Sequence, residues 1–352
     1  MSKNHSVCDR RSFLCLTVET AGGVLLPGCV TSDVRTDYEV VLLGDLHYSQ
    51  VKGSRYFEMW RTRMPTLLSA AARDVRANTR FVLQVGDLVD GDMDRTAHVR
   101  MMTDAWNLIK ATFPDCSVSQ VVGNHDVRGK DGIAAYREFF LPRLSTEMGR
   151  RFDATTYAYP VGDDAFLHLD FNDPDGSLPI LERLLDETKS ARRLFFVTHG
   201  PVIPNYYDGP SYRWIPFGDA AHGDERRWLL GKLAERHAVV LAGHIHKTDF
   251  LTWRSSAGSI TQLTVSSVWD RPELGRPIVC YRGPNEYAKP WFTGADEAAK
   301  AFFSDYAPGV VRYQHLAAAG RAVLKVSESC VSVEFRGGDG PHAGFCYESN
   351  LI

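Results

Sequence analysis

Five short stretches each set metal-binding or proton-moving side chains just after an apolar run: Gly44-Asp45-Leu46-His47, Gly86-Asp87-Leu88-Val89-Asp90, Gly123-Asn124-His125-Asp126, Thr198-His199-Gly200 and Gly243-His244-Ile245-His246. Together they offer carboxylate from Asp45 and Asp87, amide oxygen from Asn124, and imidazole from His47, His199, His244 and His246. His125 and Asp90 stand beside that set. Mixed oxygen and nitrogen donors suit manganese, iron or zinc, whereas calcium and magnesium favour oxygen alone. The donors outnumber the roughly four that one tetrahedral ion takes. Two adjacent ions account for them better, and such a pair stabilises both the attacking and the leaving oxygen of an in-line displacement. A pair needs a bridging carboxylate, and Asp87, directly after Gly86, is expected to supply it with one oxygen toward each ion.

The runs that must position these groups lie at residues 40–43, 81–85, 118–122, 194–197 and 238–242. Short continuous apolar runs bounded by glycine and polar residues read as strands buried on both faces. Polar side chains just past the carboxyl ends of such strands converge on one crevice of a layered α/β sheet. Between the motifs, residues 65–78, 104–113, 132–148, 178–191 and 224–236 carry helical periodicity. Residues 154–159 and 165–171 read as a hairpin, and 260–265, 322–326 and 330–335 as closing strands.

In order and spacing the five blocks resemble the calcineurin-like metallophosphoesterases, whose pattern runs Asp-x-His, Gly-Asp-x-x-Asp, Gly-Asn-His-Asp, His, Gly-His-x-His. No ligand position between Asp45 and His246 departs from it. The resemblance implies a four-layer α/β/β/α sandwich of two mixed sheets flanked by helices. It implies one metal on Asp45, His47, Asp87 and His246 and a second on Asp87, Asn124, His199 and His244. It also implies that His125 protonates the leaving oxygen while the Asp90 carboxylate holds its ring, a dyad that makes independent sense as a way to fix the tautomer. A water bridging the ions, with its pKa lowered toward about 7, would be the nucleophile. Purple acid phosphatases share the pattern but carry tyrosine at position 90 and glutamate after Gly-Asn-His, and Asp90 and Asp126 exclude that branch. Gly-Asn-His-Asp-Val-Arg is nearest in form to cyclic-nucleotide phosphodiesterase-like members, which points to Arg128 as a phosphate contact, since an Arg fork suits phosphate oxygens.

Substrate selection is expected in two aromatic insertions. Residues 205–219 carry Tyr206, Tyr207, Tyr212, Trp214 and Phe217 with Arg213 as a second phosphate contact, and residues 281–315 carry Trp291, Phe292, Phe302, Phe303 and Tyr306 as a covering helix or a lid. His98, His168, His222, His237, His315 and His342 have no place in the pattern and read as packed or loop residues.

At the front, Arg10-Arg11-Ser12-Phe13-Leu14, an apolar stretch and Leu26-Pro27-Gly28-Cys29 form an expected export signal over residues 1–30, of twin-arginine type with Cys29 as a lipid-modified residue. Residues 31–352 then make one catalytic domain, placed in the bacterial periplasm or anchored by lipid. Of seven cysteines, four lie beyond the leader and read as core thiols or one late bridge such as Cys330 with Cys346. With 352 residues, 44% of them hydrophobic, the chain buries a full core, and a net charge of -3 gives no bulk field for nucleic acid. The expected partner is a small-molecule phosphate ester, and no obligate protein partner is indicated. The expected activity is metal-dependent hydrolysis of phosphate mono- or diesters. The alternatives are a phospholipid or sphingolipid headgroup hydrolase and a metal-binding scaffold without turnover.

Overall fold

The computed structural model describes residues 37–205, 214–268, 280–288, 295–316, 318–338 and 345–350. The leader, Arg213, His342 and the aromatics Tyr206, Tyr207, Tyr212, Trp291 and Phe292 therefore lie outside the described residues.

The first three apolar runs form parallel strands β1 (Tyr38–Leu43), β2 (Thr79–Gln84) and β3 (Ser117–Gln120). Antiparallel to β1 runs β12 (Gly320–Val326), followed by β13 (Val331–Gly337) and β14 (Phe345–Asn350), which completes a sheet of order β14-β13-β12-β1-β2-β3. The second sheet has the order β10-β11-β8-β9-β7-β6-β5-β4. Its parallel centre is β5 (Asp164–Leu169), β6 (Leu194–Thr198), β7 (Val239–Ala242) and β9 (Gly258–Thr264). Its antiparallel edges are β4 (Tyr157–Val161) on one side and β8 (Thr248–Ser255), β11 (Val310–Leu316) and β10 (Cys280–Arg282) on the other. Both sheets are mixed, as expected.

The two-residue period of the strands generates the layers. Phe166, Phe195, Val197, Val239 and Leu241 point into a core shared with Leu42, Phe81 and Leu83 of the first sheet. Their neighbours Leu167, Phe196 and Val240 point the other way, into a core shared with Leu181, Leu184, Leu229 and Leu233 of helices α6 (Pro174–Glu187) and α7 (Gly223–Glu235). Phe81 meets Phe166 edge to face across the sandwich at 5.1 Å, and Tyr159 Oη donates to Ser119 Oγ over 3.1 Å. Outside the first sheet lie α1 (Arg55–Thr62), α2 (Met64–Ala72) and α3 (Arg95–Thr112).

Several boundaries differ from those expected. Helix α3 begins at Arg95 because Asp94 caps it, its carboxylate accepting from Ala97 N over 2.9 Å. The stretch 132–148 is helical but broken in character: α4 (Gly132–Ala135), a π turn (Tyr136–Phe140) and α5 (Leu141–Glu147). Pro142 has no N–H to give, and the Leu141 N–H donates five residues back to Tyr136, so the π turn absorbs the missing bond. Strands β8 and β11 and helix α1 were not expected, and His315 sits in β11 rather than in a loop. The 280–316 region extends the second sheet through β10 and β11, and helix Glu297–Ser304 buries Ala299 and Phe303 in the outer core. It is a covering element. The Cys330–Cys346 bridge is excluded by register: Cys346 pairs with Arg336 while Cys330 precedes the start of β13, which separates the two by roughly 20 Å along the sheet. Among the described residues no helix is long and apolar enough to cross a membrane.

Candidate metal centre

All five loops leave the sheets at one end, as strands with a common direction require. Backbone bonds knit them: Leu46 N and His47 N donate to Asp87 O (3.0 and 2.9 Å), and Asp90 N donates to Tyr48 O (2.9 Å). His47, Asp87, His244 and His246 all take positive φ, at 48°, 54°, 69° and 49°. That left-handed conformation costs an L-residue about 1–3 kcal/mol, and here four residues of the expected ligand set adopt it together.

Among the described residues, possible ligand atoms lie no more than 4.8 Å apart in three groups: Asp45, His47, Asp87 and His246; Asp87, His199 and His244; and His47, Asp90 and His125. Asn124 joins the second, with its Oδ1 3.0 Å from His244 Nδ1. The first two groups share Asp87 and bring together the residues that the sequence pattern assigns to its two metals. The junction differs from the expectation in detail. Asp87 Oδ1 accepts from the His125 backbone N–H over 2.8 Å, and Oδ2 faces both His47 Nε2 (3.6 Å) and His199 Nε2 (3.1 Å).

The donor set fits metal ions on three counts. Imidazole nitrogens face one another, His47 Nε2 with His246 Nε2 at 2.9 Å and His199 Nε2 with His244 Nδ1 at 3.3 Å, contacts that need either a proton on one ring of each pair or a shared cation. Asp45 Oδ2 is buried without a hydrogen-bond partner. And the pocket needs positive charge. Burial pushes the Asp45 carboxyl above the usual carboxylate range, and burial holds the His47 and His244 rings below the usual imidazole range, His244 at about 3. Burial also works against a proton on His199, but Asp87 and Asp45 outweigh it and raise that ring to about 9. The Asp87 carboxyl, although burial works to raise it, is held well below its usual range by His199 and His47. A metal ion would supply that charge without a proton. The second nitrogen of His199 is fixed as metal-binding imidazoles require, Nδ1 donating to Val85 O over 2.8 Å and turning Nε2 inward.

His125 lies edge-on to the His47 ring at 4.6 Å. His125 Nδ1 donates to the backbone carbonyl of Asp90 at 2.5 Å, while the Asp90 carboxylate accepts from Ser49 Oγ at 2.8 Å and keeps an oxygen within 4.8 Å of a ring nitrogen of His125. A carbonyl only accepts, so it fixes the tautomer as a carboxylate would but adds no negative charge. Arg128 has an exposed guanidinium 3.7 Å from the Asp92 carboxylate.

Three residues were missed as parts of the centre. The Asp126 carboxylate accepts from Asp87 N, Gly123 N and Gln120 Nε2 on one oxygen (3.0, 2.9 and 2.9 Å) and from Val89 N on the other (3.2 Å), clamping two ligand loops together. Its position in Gly-Asn-His-Asp was the available signal. Tyr56 stacks on His47 at 4.1 Å, and Phe171 flanks His199 and His244 at 5.7 and 6.0 Å; nothing in their local sequence marks either. Among the described residues, the histidines outside the pattern belong to none of these groups: His98 contacts Asp126 O, His222 joins Asp219 and Asp175, His237 meets Ser259 and His315 meets Asp249.

The model of the Calcineurin-like phosphoesterase family matches residues 38–248, more than half of the chain. The protein belongs to that family. Among solved structures, the purple acid phosphatase PPD1 of yellow lupin (Lupinus luteus) seeds superposes with a TM-score of 0.52 at 12% identity, over 88% of this chain and 53% of its own. The chain thus spans about half the length of that phosphatase. GAP50, the anchor in the inner membrane complex of Plasmodium, superposes with a TM-score of 0.50 at 13% identity over 90% of both chains. At such identities both likenesses speak to the fold. Comparison with curated proteins gives no match.

Proposed function

We propose that this protein is a dinuclear metal-dependent hydrolase of phosphate esters. One observation carries the reading: two ligand groups share Asp87, with the His125 imidazole beside them. Asp45, His47, Asp87 and His246 would hold one ion and Asp87, Asn124, His199 and His244 the other, from manganese, iron or zinc. When bound, such ions lower the pKa of water toward about 7 and stabilise charge on the attacking and leaving oxygens.

The chain's own residues supply the rest. With Nδ1–H held by the Asp90 carbonyl, His125 presents Nε2 as the atom that carries a proton to the departing oxygen. Asp87 Oδ1 accepts from the His125 backbone N–H, which couples the proton donor's placement to the shared ligand. Burial of Asp45, His47 and His199 keeps bulk water from competing for the ligand atoms.

The test is metal content and turnover measured side by side on protein stripped by chelator and reloaded. The expected result is two ions per chain, restored hydrolysis of aryl phosphate mono- or diesters, and a His125→Ala protein that binds the same metal with kcat lowered about 10²–10⁴-fold. One ion per chain sinks the dinuclear reading. Two ions with no hydrolysis of any phosphate ester sinks the enzyme and leaves a scaffold.

The leader pattern in residues 1–30 supports export as part of this reading. In a bacterial host the intact mass should reveal a shortened chain, and Arg10→Lys with Arg11→Lys should abolish the shortening. An unprocessed wild-type chain would argue for a different role of that segment.

A further inference from the structure

Large apolar side chains that stay exposed are, among the described residues, Val51, Ile133, Trp214 and Val311, and Trp214 is the aromatic one, 45% exposed. It does not stand on an indifferent surface. Its indole lies parallel to the His244 imidazole, centroids 5.3 Å apart and planes inclined by 12°, while Phe171 borders the same imidazole at 6.0 Å. A half-exposed indole therefore forms one wall beside the second ligand group.

The backbone is built to keep it there. A Cβ at Gly200 would come within 2.6 Å of Trp214 O, so glycine next to His199 is what lets the chain at Trp214 cross directly over the ligand loop. Just beyond, Ile215 and Phe217 are buried in the outer core, and Phe217 O accepts from Arg226 Nη1 over 2.8 Å. Before it, Gln262 Oε1 accepts from Val202 N and Ile203 N (2.8 and 2.9 Å), and Gln262 Nε2 donates back to Ile203 O (2.9 Å). The chain after Trp214 is anchored, and the indole itself is left toward solvent. Burying the indole would be the ordinary outcome of such anchoring, because a large apolar surface gains free energy by leaving water.

We propose that Trp214, bordered by Phe171, is a stacking platform that makes the centre selective for phosphate esters carrying a planar unsaturated group, such as a nucleobase or an aryl ring. This rests on the phosphate-ester reading above. Every base and aryl ring has a π face, so stacking recognises the class without a hydrogen-bond code.

The test uses metal-loaded full-length protein and calorimetric binding of inorganic phosphate, ribose 5-phosphate, adenosine monophosphate and phenyl phosphate. The wild type is expected to bind the last two roughly 5- to 100-fold more tightly than ribose 5-phosphate, the range one stacked ring supplies. Trp214→Ala should abolish that ratio while metal content and ribose 5-phosphate affinity stay within about twofold, and Trp214→Phe should restore most of it. Preference for adenosine monophosphate over phenyl phosphate identifies a nucleobase as the occupant; equality identifies any planar ring. If Trp214→Ala weakens all four alike or loses metal, the indole only covers His244 and the platform is wrong. If the metal-loaded wild type binds none of the phosphates, the phosphate-ester reading itself fails.

Discussion

Asp126 shows how much of the centre depends on a residue that touches no metal position. Its carboxylate receives four donors, among them the backbone N–H groups of Asp87 and Gly123. Burial and the nearby Asp87 push its pKa up to about 7. Asp126→Ala would strand buried N–H groups that have no other acceptor at hand, at a cost of roughly 2–4 kcal/mol. The expected result is a lower denaturant midpoint together with weakened metal binding at both groups, read by urea titration and by metal isotherms on the same protein. A variant that keeps its metal affinity while losing stability would mean that the clamp serves the fold alone. Arg128 is the contrasting case. The motif marked it, but an exposed ion pair with Asp92 contributes little.

Among the elements, the loops after β2 and β3 approach so closely that glycine is obligatory. A Cβ on Gly123 would stand 2.1 Å from Asp87 N and 2.2 Å from its Oδ1, both fixed atoms. Gly123→Ala should therefore displace the shared ligand and lower bound metal by at least half. A useful control is Gly231→Ala in α7, where a Cβ meets nothing within 4 Å. There the gain should be about 0.5–1 kcal/mol, because alanine is the better helix former. Equal metal content in the two variants, measured by elemental analysis, would show that the β2 and β3 loops can separate without harm. Much of the element order was legible beforehand, since the central parallel strands are continuous apolar runs with glycine at their ends. What was not legible has physical causes. Strand β11 interrupts Val310, Val311, Tyr313 and Leu316 with Arg312, Gln314 and His315 and so carries no long apolar run, and the π turn before Pro142 has no periodic signal of its own.

The sandwich as a whole places His168 between its two sheets, stacked on Tyr157 at 4.5 Å, with neither ring nitrogen hydrogen-bonded. Burial lowers its pKa to about 3. The sign follows directly: the folded state holds this ring neutral, the unfolded chain protonates it below about 6.5, and so stability is complete above that pH and is lost as pH falls toward 3. The loss from this one group is on the order of a few kcal/mol. His168→Leu should flatten the fall of the urea midpoint between pH 6.5 and 4 relative to wild type. Parallel curves would mean that the ring finds a partner when protonated. At this scale too the expected insertion at 281–315 resolves into sheet and covering helix, because Phe303 and Tyr306 have apolar neighbours to bury against.

The sequence alone determined the candidate ligand types and their order, because metal chemistry favours those residue types and the strand ends dictate where they emerge. It also determined the layered fold, since period-two burial in parallel runs permits few alternatives. Tertiary structure decided how the atoms of the centre are placed. Only the packed loops reveal that one oxygen of Asp87 faces both groups, that the Asp90 carbonyl rather than its carboxylate holds His125, and that Asp126 clamps the frame. Only the chain crossing at Gly200 sets Trp214 over His244. Such contacts join residues remote in sequence through backbone groups, which every residue carries alike, and so residue identity could not announce them.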